Sequence, residues 1–600
     1  VSQNPPKPFW FDRVRPLLGL LLFVFAFGYR LIGIGWGLPN DLHNQSYHPD
    51  EEVIWNFSRA VKPAEFKFTP GRYNYGTLYL TLLRVSSDVV SGYGGGIKPG
   101  DVKSYWQFIA RCHMAGRLIS AFAGALTALA AFLMMRRFTR VLGAFFGGMF
   151  VAVAPAFVVH SRFQTVDVLA TCLLALSLYY STLLIPDREG SVAPSGKWLK
   201  YAALAGLFAG LSAGTKYTGI LAVLSLGVAI ILSKREENGK GLIVGLLLAV
   251  IGFVVGTPGV LLDRENFTRD FVYEFLHTRT GHDLLFVGVG RGFAYHFVNL
   301  IEGISIGLLG MALVALVYAA VKKQSWLWVL LAFALPYYWL IGGAEVLFLR
   351  YTFPLYPMLA AAFGWWMGYA HERKGRNTVV VVLGIFAIGF ALYWSQSFTT
   401  TMSGLDARDQ TALLLREWSK TTPGAKVGLP TDPWYYTPPL IPDSAIMRGG
   451  TDVMAAASVV YPPQQVHEIS NRYGGITPAE ALLAREMELS NMPRVVQHLE
   501  PNIDARYDWD IRLITMDKPD YIVFSNFEMY DPWRLRNREN LPEDVQLKVD
   551  RFATFDALLH QTYTLQSVIG APESDYSVAG RFTHDLAYVQ PVIWIWKRRT

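Results

Sequence analysis

Apolar residues stand in long unbroken runs over roughly the first 400 positions and in short ones after that. Eleven runs read as candidate membrane spans, at 17–35, 115–135, 142–159, 166–185, 199–213, 217–232, 241–257, 297–321, 326–341, 351–369 and 378–394. A perpendicular helix needs about 20 residues to cross the hydrocarbon. The short pair flanking Thr215 and Lys216 therefore reads as two short helices or as a re-entrant hairpin. From Ser403 the pattern changes. DARDQTALLLREWSK carries a helical apolar period, AKVGLP and DYIVFSN read as short buried strands, and PVIWIWKRR reads as a closing strand. The pattern predicts a polytopic α-helical membrane protein of about eleven transmembrane helices over 1–400, with an outer loop at 38–114, and a soluble α/β domain over 401–600.

Composition supports that division. Hydrophobic residues fill 52% of the 600 positions and charged ones 17%, too apolar for a single soluble core. A net charge of +7 would suit a nucleic-acid partner, but the basic residues cluster in short loops on one side of the runs. These are Lys7, Arg13 and Arg15, then Arg136, Arg137 and Arg140, then Arg188, Lys197 and Lys200, then Lys234, Arg235 and Lys240, then Lys322 and Lys323, then Arg373, Lys374 and Arg376. Such one-sided charge orients a membrane protein with that side in the cytoplasm and argues against nucleic acid. It places 38–114, 258–296 and everything after Ser395 outside. The first run lacks a small-residue cleavage pattern and reads as a retained span. Cys112 and Cys172 form neither a disulfide framework nor a metal spacing.

The first outer loop opens with HPDEE at 48–52. Pro49 suits a first helical position, and Asp50, Glu51 and Glu52 in the first turn would complement the helix dipole. The alternative is a catalytic carboxylate at the membrane surface. Other ionisable groups gather at the outer ends of the runs: Arg111 and Arg117, then His160, Arg162 and Asp167 in HSRFQTVD, Lys216 in TKY, and Arg350 with Tyr351 in FLRYTFPLYP. Each alone reads equally as an interfacial anchor or a salt-bridge partner. Together, a carboxylate and several cations at a lipid interface suit a transfer reaction. A general base would deprotonate an acceptor, and positive charge would stabilise a departing phosphate.

HPDE, RYNYGTLYLTLLR, RLISAFAGALTALAAFLMMRR, SRFQTVDVLAT, AGLFAGLSAGTKYTGIL and LRYTFPLYPML together span about 15–370. In these motifs the chain resembles the polyprenyl-phosphate-dependent glycosyltransferases of the C-type (GT-C) fold, which include protein O-mannosyltransferases and lipid A aminoarabinose transferases. The resemblance implies a polyprenyl-phosphate-linked sugar as donor, a protein, lipid or polysaccharide acceptor, and no cofactor or essential metal. It implies Asp50 as the base, with Glu51 supporting it or, given the third acid Glu52, exchanging roles with it. Asp167 would shape the acceptor or sugar site, and Arg117, Arg162, Lys216 and Arg350 would serve the phosphate, with Tyr351 alongside. By analogy with single-displacement glycoside chemistry, direct displacement would invert the anomeric carbon.

His282 and Asp283 are further candidates for the same cavity, and 92–101, GYGGGIKPGD, reads as a flexible lid. The DWD at 508–510 reads as surface loop, since a lone DxD is a weak motif. Asn56 and Asn266 head glycosylation sequons. A transporter or lipid flippase, or a non-catalytic scaffold subunit, are the competing classes. A transporter would be expected to show internal repeats and broken helices near mid-membrane, and no repeat is visible here.

Overall fold

The computed structural model describes residues 15–92 (Asp41 and Asn44 apart), 102–373, 377–440 (Pro423, Asp432 and Pro433 apart), 493–496 and 508–599 (Glu573 apart). The expected lid lies, beyond Gly92, outside the described residues.

Each of the eleven apolar runs is helical. Among the described residues four helices are long and apolar enough to cross a membrane, or five with one bent pair counted as a single span. With these apolar helices the chain is an integral membrane protein. The bent pair corrects the expected straight span at 297–321: Gly292–Ile304 and Ile306–Val321 meet at 116°. The hinge is Ser305, whose φ of 91° lies where an L-residue is strained and no helix continues. The run at 142–159 also breaks, into Val141–Val153 and Pro155–His160, because Pro155 brings no N–H to the ladder.

Small residues set the closest helix contact. Ser195–Ala213 lies against Asn238–Gly256 so tightly that a Cβ on Gly206 or Gly210 would collide with the carbonyls of Gly245 and Ala249. Glycine permits this approach, and dispersion between the backbones rewards it.

Among the described residues the loops expected outside contain helices. HPDEE begins the helix Pro49–Arg59 with Pro49 in its first turn and all three acids beside it. A second helix runs Leu78–Ser91, and the loop expected at 258–296 contains the helix Arg264–Thr280.

After the helix Thr378–Ser403, which runs across the expected boundary at 400, comes a five-stranded mixed sheet. Its strands are β1 (Lys426–Gly428), β2 (Arg494–Val496), β3 (Tyr521–Ser525), β4 (Tyr563–Ile569) and β5 (Ile593–Arg598), in the order β2-β1-β3-β5-β4. The pairs β1–β2 and β1–β3 are parallel, whereas β3–β5 and β4–β5 are antiparallel. IWIW in β5 is buried at every position because the sheet is covered on both faces. Trp594 and Trp596 join Ile522, Phe524 and the helix Glu543–Thr562 on one face. Ile593 and Ile595 join Val523 and the helix Ala407–Thr421 on the other, as the two-residue strand period requires. Within the DWD motif Asp508 is exposed, but Trp509 belongs to this core and Asp510 is buried, correcting the surface-loop expectation at those two positions. Trp509 packs edge-on against Phe524, Phe552 and Phe555, and Asp510 is paired with Arg512 and Arg551.

Candidate active site

The sheet region is fastened to the first outer loop by a buried polar knot. Trp36 donates to Asp406 at 3.1 Å, Tyr47 donates to Asp409, and the Arg408 guanidinium lies 3.8 Å over the Tyr47 ring. Between this region and the helical bundle lies a cavity of about 700 Å³. The bundle side contributes Asp50, Tyr75, Glu274, His282, Arg350 and Tyr351, and the sheet side contributes Tyr435, Glu528, Asp531, His584 and Tyr588. A narrower pocket lined by Asp167, Lys216 and Tyr337 shares Arg350 with it.

The two neighbouring acids of HPDEE go in opposite directions. Successive helical residues point about 100° apart, which lets one of the two acids face the cavity while the other faces the protein interior. Asp50 opens on the cavity, with its Oδ2 3.3 Å from Arg350 Nη2. Glu51 turns inward and is fully buried. Arg117 donates to both of its oxygens, Nε at 2.8 Å and Nη2 at 2.7 Å, the Gln164 amide N–H adds a bond at 2.7 Å, and Ser46 donates its hydroxyl. Burial alone would raise the Glu51 carboxyl, but the Arg117 guanidinium holds it down at about 2. Arg117 also donates to the Ile34 and Trp36 carbonyls. The pair therefore locks the end of the first span to the 49–59 helix.

Among the expected site residues, the fold thus brings together Asp50, Asp167, Lys216, Arg350 and Tyr351. Lys216 donates to Asp167 at 2.6 Å and sits 4.3 Å over the Tyr351 ring. Arg350 Nε lies 3.8 Å from Asp167 Oδ2. It leaves Glu51, Arg117 and Arg162 apart from the cavity. Arg162 is fully buried, donating to the Tyr29 carbonyl and the Thr399 hydroxyl at 2.9 Å each, and so joins the first and last apolar helices. All three groups are buried and hydrogen-bonded to other parts of the chain, Glu51 to Arg117 and Arg162 to the first and last apolar helices. His282 and Asp283 line the cavity, Asp283 paired with Lys548 at 2.6 Å.

Several site residues were not legible in the sequence. Asp585, in RFTHDLAYV near the end of the chain, pairs with Arg350. Burial would raise its carboxyl, but Arg350 holds it at about 2. Glu528 and Asp531 are pushed up by burial, to about 7 and about 6. Glu274 is raised by burial as well. Asp585 and Glu528 sit beside apolar residues, but nothing in their local sequence tells a cavity-lining acid from a cap or surface acid. Glu528 is in fact both, since it also closes the capping box with Ser525. Among the described residues no group of His, Cys, Asp and Glu is arranged to hold a metal ion.

Residues 109–260 match the family described as dolichyl-phosphate-mannose-protein mannosyltransferase. The match contains Arg117, Arg162, Asp167 and Lys216, while Asp50, Arg350 and Asp585 lie beyond it. No curated protein matches the sequence. Among solved structures, ArnT from Cupriavidus metallidurans bound to undecaprenyl phosphate is similar at 14% identity, over 98% of this chain and 98% of that one, with a TM-score of 0.48. The Archaeoglobus fulgidus oligosaccharyltransferase tethered with an acceptor peptide is similar at 12% identity, over 93% of this chain and 73% of that one, also at 0.48. The S. cerevisiae protein O-mannosyltransferase Pmt1-Pmt2 complex bound to the sugar donor is similar at 17% identity, over 44% and 35%, at 0.32. The resemblance to the polyprenyl-phosphate glycosyltransferases read from the motifs thus rests on the family match across 109–260.

Proposed function

We propose that this protein is a membrane glycosyltransferase of the GT-C fold that moves a sugar from a polyprenyl-phosphate donor to an acceptor nucleophile on the extracytoplasmic face. The observation that carries the reading is the meeting of Asp50 with Arg350 and the Asp167–Lys216 pair where two pockets join. The one-sided basic loops support the outward orientation.

In this reading Asp50 accepts the proton of an acceptor hydroxyl or amine as that atom attacks the anomeric carbon. The bond from that carbon to the phosphate oxygen breaks, and the electron pair leaves with the polyprenyl phosphate. Lys216 and Arg350 supply positive charge where that negative charge develops. A single displacement inverts the anomeric configuration without a covalent sugar–protein intermediate. Asp167 holds Lys216 in place, and the lipid tail of the donor lies against the apolar helix faces. The region after residue 400 forms the outer wall of the site as a separate α/β domain.

The test is transfer of radiolabelled sugar from a polyprenyl-phosphate donor by purified protein. Asp50→Asn is expected to lower the rate by about 10²-fold or more, as for loss of a general base. Donor uptake into vesicles without transfer would instead favour a transporter and end this reading.

A further inference from the structure

Arg350 carries one positive charge and faces three carboxylates from distant parts of the chain. Its Nη2 lies 3.3 Å from Asp50 and its Nε 3.8 Å from Asp167. Its Nη1 donates to Asp585, the shortest of the three contacts, and its backbone N–H donates to the other Asp585 oxygen at 3.3 Å. Asp585 therefore grips residue 350 at two points, side chain and main chain, from the short helix His584–Ala587. Asp167 has a cation of its own in Lys216, at 2.6 Å. Three carboxylates thus meet two cations. Asp585 is only 1% exposed and Asp167 6%, whereas Asp50 is 27% exposed. A buried carboxylate has more to lose without its cation than one that water reaches, so the excess negative charge rests on Asp50.

We infer that Asp585 is a positioning residue for transfer: by engaging Arg350 it keeps that arginine from neutralising Asp50 and leaves the Asp50 carboxylate able to take the acceptor's proton. The inference rests on Asp50 being the base. With an amide at 585, the guanidinium loses its closest anion and turns more of its charge to Asp50. Asp50 is then harder to protonate and weaker as a base. The outer end of the bundle alone does not set this balance; the last turn before β5 completes it.

The other ionisable groups facing this pair from the bundle include Asp167, Lys216, Glu274, Tyr351, His48, His160, Tyr75 and His282. From the sheet side they are His584, Tyr435 and Tyr588. Asp167 is the other buried carboxylate beside Arg350, at 3.8 Å, and its closer cation is Lys216 at 2.6 Å.

The experiment compares the pH profiles of kcat for wild type, Asp585→Asn and Asp585→Glu, with folding checked by melting and monodispersity in detergent. Asp585→Asn is expected to lower kcat about tenfold or more and to move the acidic limb down by about one pH unit, the size of effect of an added close cation. Asp585→Glu keeps the negative charge and is expected to leave the limb in place even where its rate falls. A limb unmoved in Asp585→Asn, or moved equally in Asp585→Glu, overturns the inference, since a merely structural role changes the amount of active protein and not its titration. Where Asp585→Asn yields no folded protein, Arg350→Lys decides: its ammonium keeps the charge but cannot fork between anions. It is expected to lower kcat at least tenfold, and a wild-type rate and limb overturn the inference. Asp50→Asn separates the levels. If it transfers normally, the base assignment fails; if it is inactive while Asp585→Asn behaves as wild type, only the positioning role fails.

Discussion

Glu51→Gln distinguishes a structural carboxylate from a catalytic one at adjacent positions. Glu51 is fully buried, and Arg117 holds its carboxyl at about 2 against an ordinary 4.5 despite the opposing effect of burial. A difference of about 2.5 units at about 1.4 kcal/mol each gives about 3 kcal/mol. That falls within the roughly 3–5 kcal/mol expected when one partner of a buried ion pair is removed and the other is left uncompensated. Because the folded value lies below the unfolded one, this stability is present above about pH 4.5 and is lost as pH falls toward 2. Spread over 600 residues, at about 2 cal/mol/K of unfolding entropy per residue, it lowers the melting temperature by about 2–3 °C for unfolding as one unit. It lowers it further if the outer end of the bundle opens first. The assay pairs tryptophan-fluorescence melting in detergent at pH 7 with transfer rates on the folded fraction. Glu51→Gln is expected to melt early but to keep kcat within about tenfold of wild type, the usual outcome for a group that touches no substrate. Asp50→Asn is expected to melt like wild type, because its pair with Arg350 is partly exposed, and to lose transfer. A Glu51→Gln protein of normal stability and abolished transfer would refute the assignment of roles to the two acids.

Lys216→Met leaves Asp167 without its cation and removes positive charge from the phosphate position. A fall in kcat of about 10²-fold is expected in the radiolabel assay, and an unchanged rate would exclude Lys216 from the phosphate. Glu528 is raised by burial to about 7. Its neutral form stabilises the fold fully below about pH 4.5, and that contribution is lost as pH rises through 7. Relative to wild type, Glu528→Gln should therefore gain stability between about pH 5 and 8, up to about 3 kcal/mol, read by melting across that range. Gly210→Val would drive a side chain into the Ala249 carbonyl, where only movement of a whole helix gives relief. It is expected to abolish folded protein in detergent, whereas Gly227→Val, where a Cβ meets open space, should not.

Much of the bundle was legible because its signal is local. A run of apolar residues must be helical in hydrocarbon, where each backbone polar group needs an internal partner, and all eleven runs are helical, those at 142–159 and 297–321 each broken in two. The bend at Ser305 was not legible, since ISIG interrupts no apolar pattern and the strain is visible only in the dihedral. HPDEE announced its helix start correctly through Pro49 and the clustered acids. It did not reveal that Asp50 and Glu51 diverge, because the partner choosing Glu51, Arg117, stands 66 residues away. The DWD motif misled for a related reason: its tryptophan is a core residue of a sheet assembled from strands far apart in the chain.

Local chemistry thus fixed what each segment is. The sequence by itself determined a helical membrane protein, the start of the helix that bears the acids, and a strand-and-helix region after the last apolar run. Which charges meet was decided only in three dimensions. Arg350 is shared among carboxylates from residues 50, 167 and 585, and a sum of long-range Coulomb interactions in a poorly solvated cleft depends on distances that no stretch of sequence encodes.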